Sequence, residues 1–280
     1  MKTSVVSKIG KYSSLTFFAV IFLLPIYWVA ISSFKLDTSI FKSLMPFNLS
    51  ALWLDSDTYF GAYIDILVKR NFGRAIFNSF FVTFSTTALG ILVNSMCAFA
   101  FSVFNFKGKN TLFMLILITF MIPFGSIALP LYQIITSLKL VDTYWALILP
   151  AVSNGLCIFL FRQFFLDIPS SYLDAAKLDG ATWYTVYMQI YMRLSLAIIV
   201  SAGVILFMDQ WEAFMWPLIA GRSPEMKVIQ VAIADLKQDN EIYWNQIFAA
   251  STISIAVPVL IILPLQKYYI LGIASSGIKE

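Results

Sequence analysis

Residues 76–106 read IFNSFFVTFSTTALGILVNSMCAFAFSVFNF, a run in which no side chain carries a charge. It is about 30 residues long, whereas ~20 helical residues cross a hydrocarbon core. The run therefore predicts one tilted spanning helix that projects beyond the bilayer. Five further apolar stretches have spanning length: Leu15 to Ser33, Thr111 to Leu138, Thr143 to Phe161, Leu194 to Trp216 and Ile247 to Leu265. Of these, Leu194 to Trp216 has to carry Asp209 and Glu212 near its outer end. The expected fold class is an all-α polytopic membrane protein with six transmembrane helices.

Composition agrees with that reading. Hydrophobic residues make up 60% of the 280 and charged residues 12%, and the mean hydropathy is +0.82. A soluble globule has roughly 25% charged residues, so the apolar surplus here must face lipid. A secreted enzyme and a nucleic-acid binder both fit poorly. The net charge of +4 needs no polyanionic partner, because Lys and Arg gather at cytoplasmic membrane edges. With no histidine and only Cys97 and Cys157, the chain lacks the ligand set for a zinc or haem site. The two cysteines lie in different spans and are expected to act as small hydrophobes, with no disulfide. Lys2, Lys8 and Lys11 before the first apolar stretch mimic a signal peptide, but no small-x-small cleavage site comes after it, and the stretch reads as a retained first span.

The connections differ in kind. Lys107-Gly108-Lys109-Asn110 and Lys139 to Asp142 are tight turns, whereas Lys35 to Ala75, Arg162 to Arg193 and Pro217 to Gln246 are long. Lys and Arg divide almost evenly between the two sides. The sharper signals are the Lys107/Lys109 pair in a short turn and the three N-terminal lysines, with Asp55, Asp57, Asp235, Asp239 and Glu241 on the opposite side. Both termini are therefore expected in the cytoplasm. Pro25, Pro123, Pro130, Pro150, Pro258 and Pro264 punctuate the spans, where they can mark bends or packing irregularities. The expected organisation is an N-terminal tail and first helix (1–34), an extracytoplasmic segment (35–74) and a five-helix core (75–280).

The 162–193 connection is cytoplasmic in this topology. Its middle reads IPSSYLDAAKLDGATW over 168–183. Pro169 halts any arriving helix, and Ser171 with Asp174 three residues on resembles a capping box, so a short helix is predicted to begin there. Leu173, Ala176 and Gly180 fall on one face, and Ala175 and Ala176 would let another protein's surface come close. Asp179-Gly180 supplies a turn before a second amphipathic piece containing Trp183, Tyr184 and Tyr187.

Asp174-Ala175-Ala176, then Gly180 after three residues and Ile190 after nine more, resembles the cytoplasmic signature of permease subunits of binding-protein-dependent ATP-driven importers. That signature usually begins Glu-Ala-Ala and closes Ile-x-Leu-Pro; here Asp174 keeps the carboxylate and Met192-Arg193 replaces Leu-Pro. The resemblance extends to Phe77-Asn78-Ser79, Leu129 to Tyr132, Leu140 to Trp145, Arg162 to Phe165, Trp211, Phe214 to Leu218 and Gln266 to Tyr269, and to the tail from Gly272-Ile273 through Lys279. It covers roughly residues 12 to 280 and lies closest to the MalG-like carbohydrate family.

The resemblance implies an importer-type permease fold in the bacterial cytoplasmic membrane, with 162–193 forming a coupling helix. Asp174, Ala175, Ala176, Asp179 and Gly180 would then meet an ATP-hydrolysing subunit. The implied partners are a second homologous permease, two ATP-hydrolysing subunits, a solute-binding protein reached by the 217–246 loop, and membrane lipid. No Gly-rich loop ending in Gly-Lys-Ser/Thr occurs in the chain, so ATP and Mg are expected on partners, with no cofactor, metal or catalytic residue on this chain. The implied cargo is a carbohydrate, an oligosaccharide in particular.

Asp209 and Glu212, three apart beside Trp211 and Trp216, either line an outer vestibule for a polyhydroxylated solute or lie solvated at the interface among belt aromatics. Asn94, Gln133 and Asn154 are pathway contacts or interhelical hydrogen bonders. An ion-gradient-driven secondary transporter is the competing class, but it calls for repeat symmetry and a midplane ion site, and neither is visible. A membrane-embedded enzyme is weaker still, since no Ser/His, Cys/His or paired-acid constellation is present.

Overall fold

The computed structural model describes residues 5–42, 48–54, 58–237 and 242–277. Lys2, Asp55, Asp57, Asp239, Glu241 and Lys279 lie outside the described residues. Among the described residues the secondary structure is helical throughout. The long and paired helices are α1 (Val5–Ser32), α2 (Phe72–Val103), α3 (Lys109–Phe120), α4 (Phe124–Ser137), α5 (Tyr144–Val152), α6 (Gly155–Asp167) and α7 (Ser170–Leu178). They continue with α8 (Trp183–Leu194), α9 (Leu196–Trp211), α10 (Met215–Ala220), α11 (Ile229–Asp235) and α12 (Trp244–Gly277).

Three helices are long and apolar enough to cross a membrane unaided, and six crossings result when each bent pair counts as one. The third, fourth and fifth expected spans are each formed by a bent pair of helices. The pair α3/α4 bends by 100°, α5/α6 by 43° and α8/α9 by 83°. Pro123 caps α4 in an extended conformation, and a proline ends a helix at the residue before it. Pro25, Pro130, Pro150, Pro258 and Pro264 all sit inside helices, so Pro123 alone of the span prolines stands at a break. The other two breaks fall at Ser153-Asn154 and at Ser195 and need no proline.

The chain divides into two compact units, residues 1–73 with 232–257 and residues 74–231 with 258–280. In the first, Lys35 is buried at 3% exposure and donates to the Ser50 (3.0 Å) and Ala51 (3.4 Å) carbonyls, stapling the short helix Leu49–Leu52 to the end of α1. Asp37 accepts from the Asn245 backbone N–H at 3.2 Å, and Trp28 meets Phe248 edge-on at 5.2 Å. No residue of the apolar α1 window is buried, which leaves that helix facing lipid or another subunit.

In the second unit α2 is the axis. One hydrophobic core gathers Phe99, Phe161, Phe165, Tyr187, Tyr191, Ile198 and Leu206 around its C-terminal half, and another gathers Val82, Leu147, Ile148, Trp216 and Val228 around its N-terminal half. The long 217–246 connection is not a plain polar loop. Helices α10 and α11 and a turn at Pro224–Met226 fold it, with Met226, Val228, Ile229 and Val231 buried. The expected fifth span to Trp216 ends instead at Trp211, and Trp216 belongs to α10.

Candidate functional site: a part-polar cavity and an exposed helix

A helix broken inside a membrane exposes backbone groups that water cannot satisfy. At the α5/α6 break they are satisfied by one residue of α2. Asn94, fully buried, donates from Nδ2 to the Val152 carbonyl at 2.9 Å and to the Gly90 carbonyl at 2.7 Å, and its Oδ1 accepts from the Asn154 N–H at 2.9 Å. Gly90 makes this approach feasible: a Cβ there would stand 2.9 Å from a Leu206 methyl and 3.2 Å from the Val152 oxygen. Asn154 then caps α6, its Oδ1 accepting from the Cys157 N–H at 3.1 Å, so its Nδ2 is left to donate to Asp209 Oδ2 at 3.0 Å. Three polar residues from three separate stretches form one chain.

Asn154 and Asp209 line a cavity of about 680 Å³, within the range typical of small-molecule sites. Its walls include Phe120, Phe124, Ile127, Leu131 and Trp216, with Thr86, Ser153 and Gln210 as further polar lining. Trp216 is fixed by donating to the Ala146 carbonyl at 2.8 Å.

The candidate pathway residues therefore separate. Asp209 and Asn154 face the cavity, and Asn94 braces them from behind. Trp211 does not: it is 2% exposed, stacked on Phe207 at 5.7 Å and edge-on to Phe80 at 5.3 Å. Glu212 is exposed and lies outside the lining, because α9 ends at Trp211 and Glu212 is already its C-cap. Gln133 is exposed on α4, away from this lining.

The 168–183 stretch forms α7, but not by a capping box. Pro169 is the cap, the helix starts at Ser170, and Ser171 is already inside it, so its hydroxyl makes no cap bond. The C-terminal end is a Schellman closure: Ala181 N–H donates to the Ala176 carbonyl (2.9 Å) and Gly180 N–H to the Lys177 carbonyl (3.1 Å). Gly180 takes φ +72°, the left-handed conformation that closure requires. Asp174, Ala175, Asp179 and Gly180 are exposed, whereas Ala176 turns inward to its own core, so the expected outward face of Leu173, Ala176 and Gly180 is not a single open surface. A Cβ at Gly180 would meet nothing within 4 Å, and Leu178 is 89% exposed.

Beyond α7 the chain is anchored firmly to α2. Trp183 packs edge-on against Phe104 at 4.7 Å with the Lys177 ammonium 5.8 Å from its ring. Tyr187 and Tyr191 pack on Phe99 at 5.3 and 5.0 Å, and Tyr187 shares a 2.7 Å hydrogen bond with Ser95. The chain then turns by 83° at Ser195, so Met192-Arg193 leads into a break without a proline.

Near the other end of α2 lies a network whose sequence signals were the Phe77-Asn78-Ser79 run and the Leu140 to Trp145 stretch. Asn78, fully buried, donates to the Glu225 (2.7 Å) and Lys227 (2.9 Å) carbonyls and accepts from the Tyr144 hydroxyl at 2.7 Å. Ser79 Oγ accepts from the Ile229 N–H at 2.7 Å, Arg74 donates to the Glu225 carbonyl at 3.2 Å, and Asp142 accepts from the Ser223 N–H at 2.9 Å. Asn78 and Phe101 are separated along α2 by about 35 Å at 1.5 Å per residue, roughly a bilayer's core.

Three helices of spanning length, three bent apolar pairs and a part-polar cavity within the second unit describe a multi-pass membrane protein. Residues 87–272 match the family described as "Binding-protein-dependent transport system inner membrane component", and the chain belongs to that family. It is 32% identical over 266 residues to the arabinooligosaccharides transport system permease protein AraQ of Halalkalibacterium halodurans, covering 94% of this chain and 93% of the relative. It is 31% identical to the sn-glycerol-3-phosphate transport system permease protein UgpE of Agrobacterium fabrum, covering 90% of each. In fold it superposes with a TM-score of 0.79 on a chain from the crystal structure of a bacterial ABC transporter involved in the import of the acidic polysaccharide alginate, at 21% identity, covering 96% of this chain and 99% of that one.

Proposed function

We propose that this chain is one of two permease subunits of an ATP-driven importer that carries an oligosaccharide across the bacterial cytoplasmic membrane. Hydrolysis belongs to two partner subunits that bind ATP and Mg, so the chain itself is not an enzyme. A solute-binding protein delivers cargo on the side of the folded 217–237 segment, and both termini lie with α7 on the cytoplasmic side. The carrying observation is α7 itself: a short helix with Leu178 89% exposed and open space over Gly180, tied through Trp183, Tyr187 and Tyr191 to the end of α2. A rigid helix so anchored turns as a body when its socket moves, and that motion reaches the spans directly. Support for the carbohydrate comes from near-full-length relatives named for an oligosaccharide and a sugar-alcohol phosphate.

The test is a pair of variants at Gly180 in the co-expressed complex. Asn tolerates left-handed backbone and keeps the turn, whereas Leu there costs roughly 1–2 kcal/mol of strain. Both place a side chain where the partner subunit must come close. We expect Gly180→Asn and Gly180→Leu to insert normally, to lose uptake by at least ~10-fold and to release the ATP-hydrolysing subunits on purification. Full uptake by Gly180→Asn would reject the docking role of this loop. Uptake by the isolated chain on a proton or sodium gradient would reject the importer.

A further inference from the structure

Resting on the reading of this chain as a saccharide permease, we propose that Asp209 makes the cavity selective for uncharged saccharides over anionic ones. Among the described residues lining the cavity Asp209 is the only one with an ionisable side chain, and neither Lys nor Arg is present to reverse its sign. Phe120, Phe124 and Trp216 in the walls carry no charge, and a cleft whose ionisable lining is of one sign concentrates ions of the other sign.

The carboxylate is also held in place. The Asn154 amide cannot turn, because its Oδ1 is committed to the Cys157 N–H at 3.1 Å, and its Nδ2 therefore donates to Asp209 at 3.0 Å. The Asn154 backbone is fixed in turn by fully buried Asn94 at 2.9 Å. One carboxylate oxygen is occupied by that bond, and the remaining acceptor capacity suits sugar hydroxyls, which donate hydrogen bonds without bringing charge. A phosphate or uronate has no cation here to meet and would face repulsion. This division runs through the relatives themselves: the arabinooligosaccharide of one is neutral, the glycerol 3-phosphate of another is an anion.

The decisive measurement reads the cavity's charge without depending on a solute-binding protein. In the complete complex in nanodiscs, with Cys97→Ala and Cys157→Ala removing the native thiols, Ser153→Cys places a thiol in the cavity lining. Its rates of modification by cationic and anionic methanethiosulfonates of similar size are compared. We expect the cationic reagent to react faster and the ratio of rates to fall about tenfold when Asp209→Asn is added. An unchanged ratio overturns the proposal, as does a failure of the cationic reagent to reach position 153. A second arm measures uptake of arabinotriose and of a galacturonate trimer into liposomes. The wild-type complex should favour arabinotriose, and Asp209→Asn should narrow the difference; equal preference in both forms also overturns the proposal. Uptake of neither sugar by the wild type counts against the importer of saccharides, and the thiol ratio then decides the role of Asp209 separately.

Discussion

Asn94 shows how one side chain makes a broken membrane helix tolerable. Its amide covers the Val152 carbonyl and the Asn154 N–H, two groups that neither lipid nor the helix itself can satisfy. Replacing it by leucine leaves both unpaired, and a buried polar group left without a partner costs about 1–3 kcal/mol. Asn94→Leu is therefore expected to lower the temperature at which buried Cys157 becomes reactive to a thiol dye by several degrees. Gln133→Leu, at an exposed position, is expected to leave that temperature unmoved. A common melting point for the two would mean that the break is held by packing alone. In sequence Asn94, Gln133 and Asn154 stand as equals, because an asparagine in an apolar run looks the same whether it faces a cavity or a neighbouring helix.

The 217–237 element draws its order from α2. Asn78 and Ser79 hold the Glu225 and Lys227 carbonyls and the Ile229 N–H, and Asp142 holds Ser223. A segment secured at so many backbone points resists local opening, which proteases need. Limited trypsin digestion of the wild-type complex should therefore spare Arg222 and Lys227. Asn78→Leu should raise cleavage there by at least ~10-fold while the spans remain intact. Cleavage at the wild-type rate would show that the buried Met226, Val228 and Ile229 suffice without the asparagine. Length and polarity suggest a loop here; its few buried apolar residues are spaced too irregularly for a helix-period reading to separate them from the polar ones.

For the whole molecule, the apolar window of α1, none of it buried among the described residues, is an unmet demand. Lipid or a neighbouring subunit must cover it, and the family's binding-protein-dependent systems provide for the latter. The chain is expected to co-purify with a second permease and two ATP-hydrolysing subunits, and to lose its cooperative thermal transition when purified alone. Orientation has its own test. Alkaline-phosphatase fusions after residue 109 should be inactive and fusions after residue 222 active, and the reverse pattern would put α7 on the outer side.

The apolar spans and the short helix at 170–178 were legible from the sequence because each depends on local information. A bilayer demands about 20 apolar residues per span whatever the neighbours are, and Pro169 and Gly180 act on the backbone where they stand. Tertiary structure alone decided that three spans break, that Ala176 turns inward, that Trp211 is core, and that Asn94, Asn154 and Asp209 join into one chain. Lipid and protein core are both apolar, so the periodicity that tells inside from outside in a soluble helix carries little information here. Only contact between residues far apart in sequence shows which polar groups brace the helices and which face the cavity.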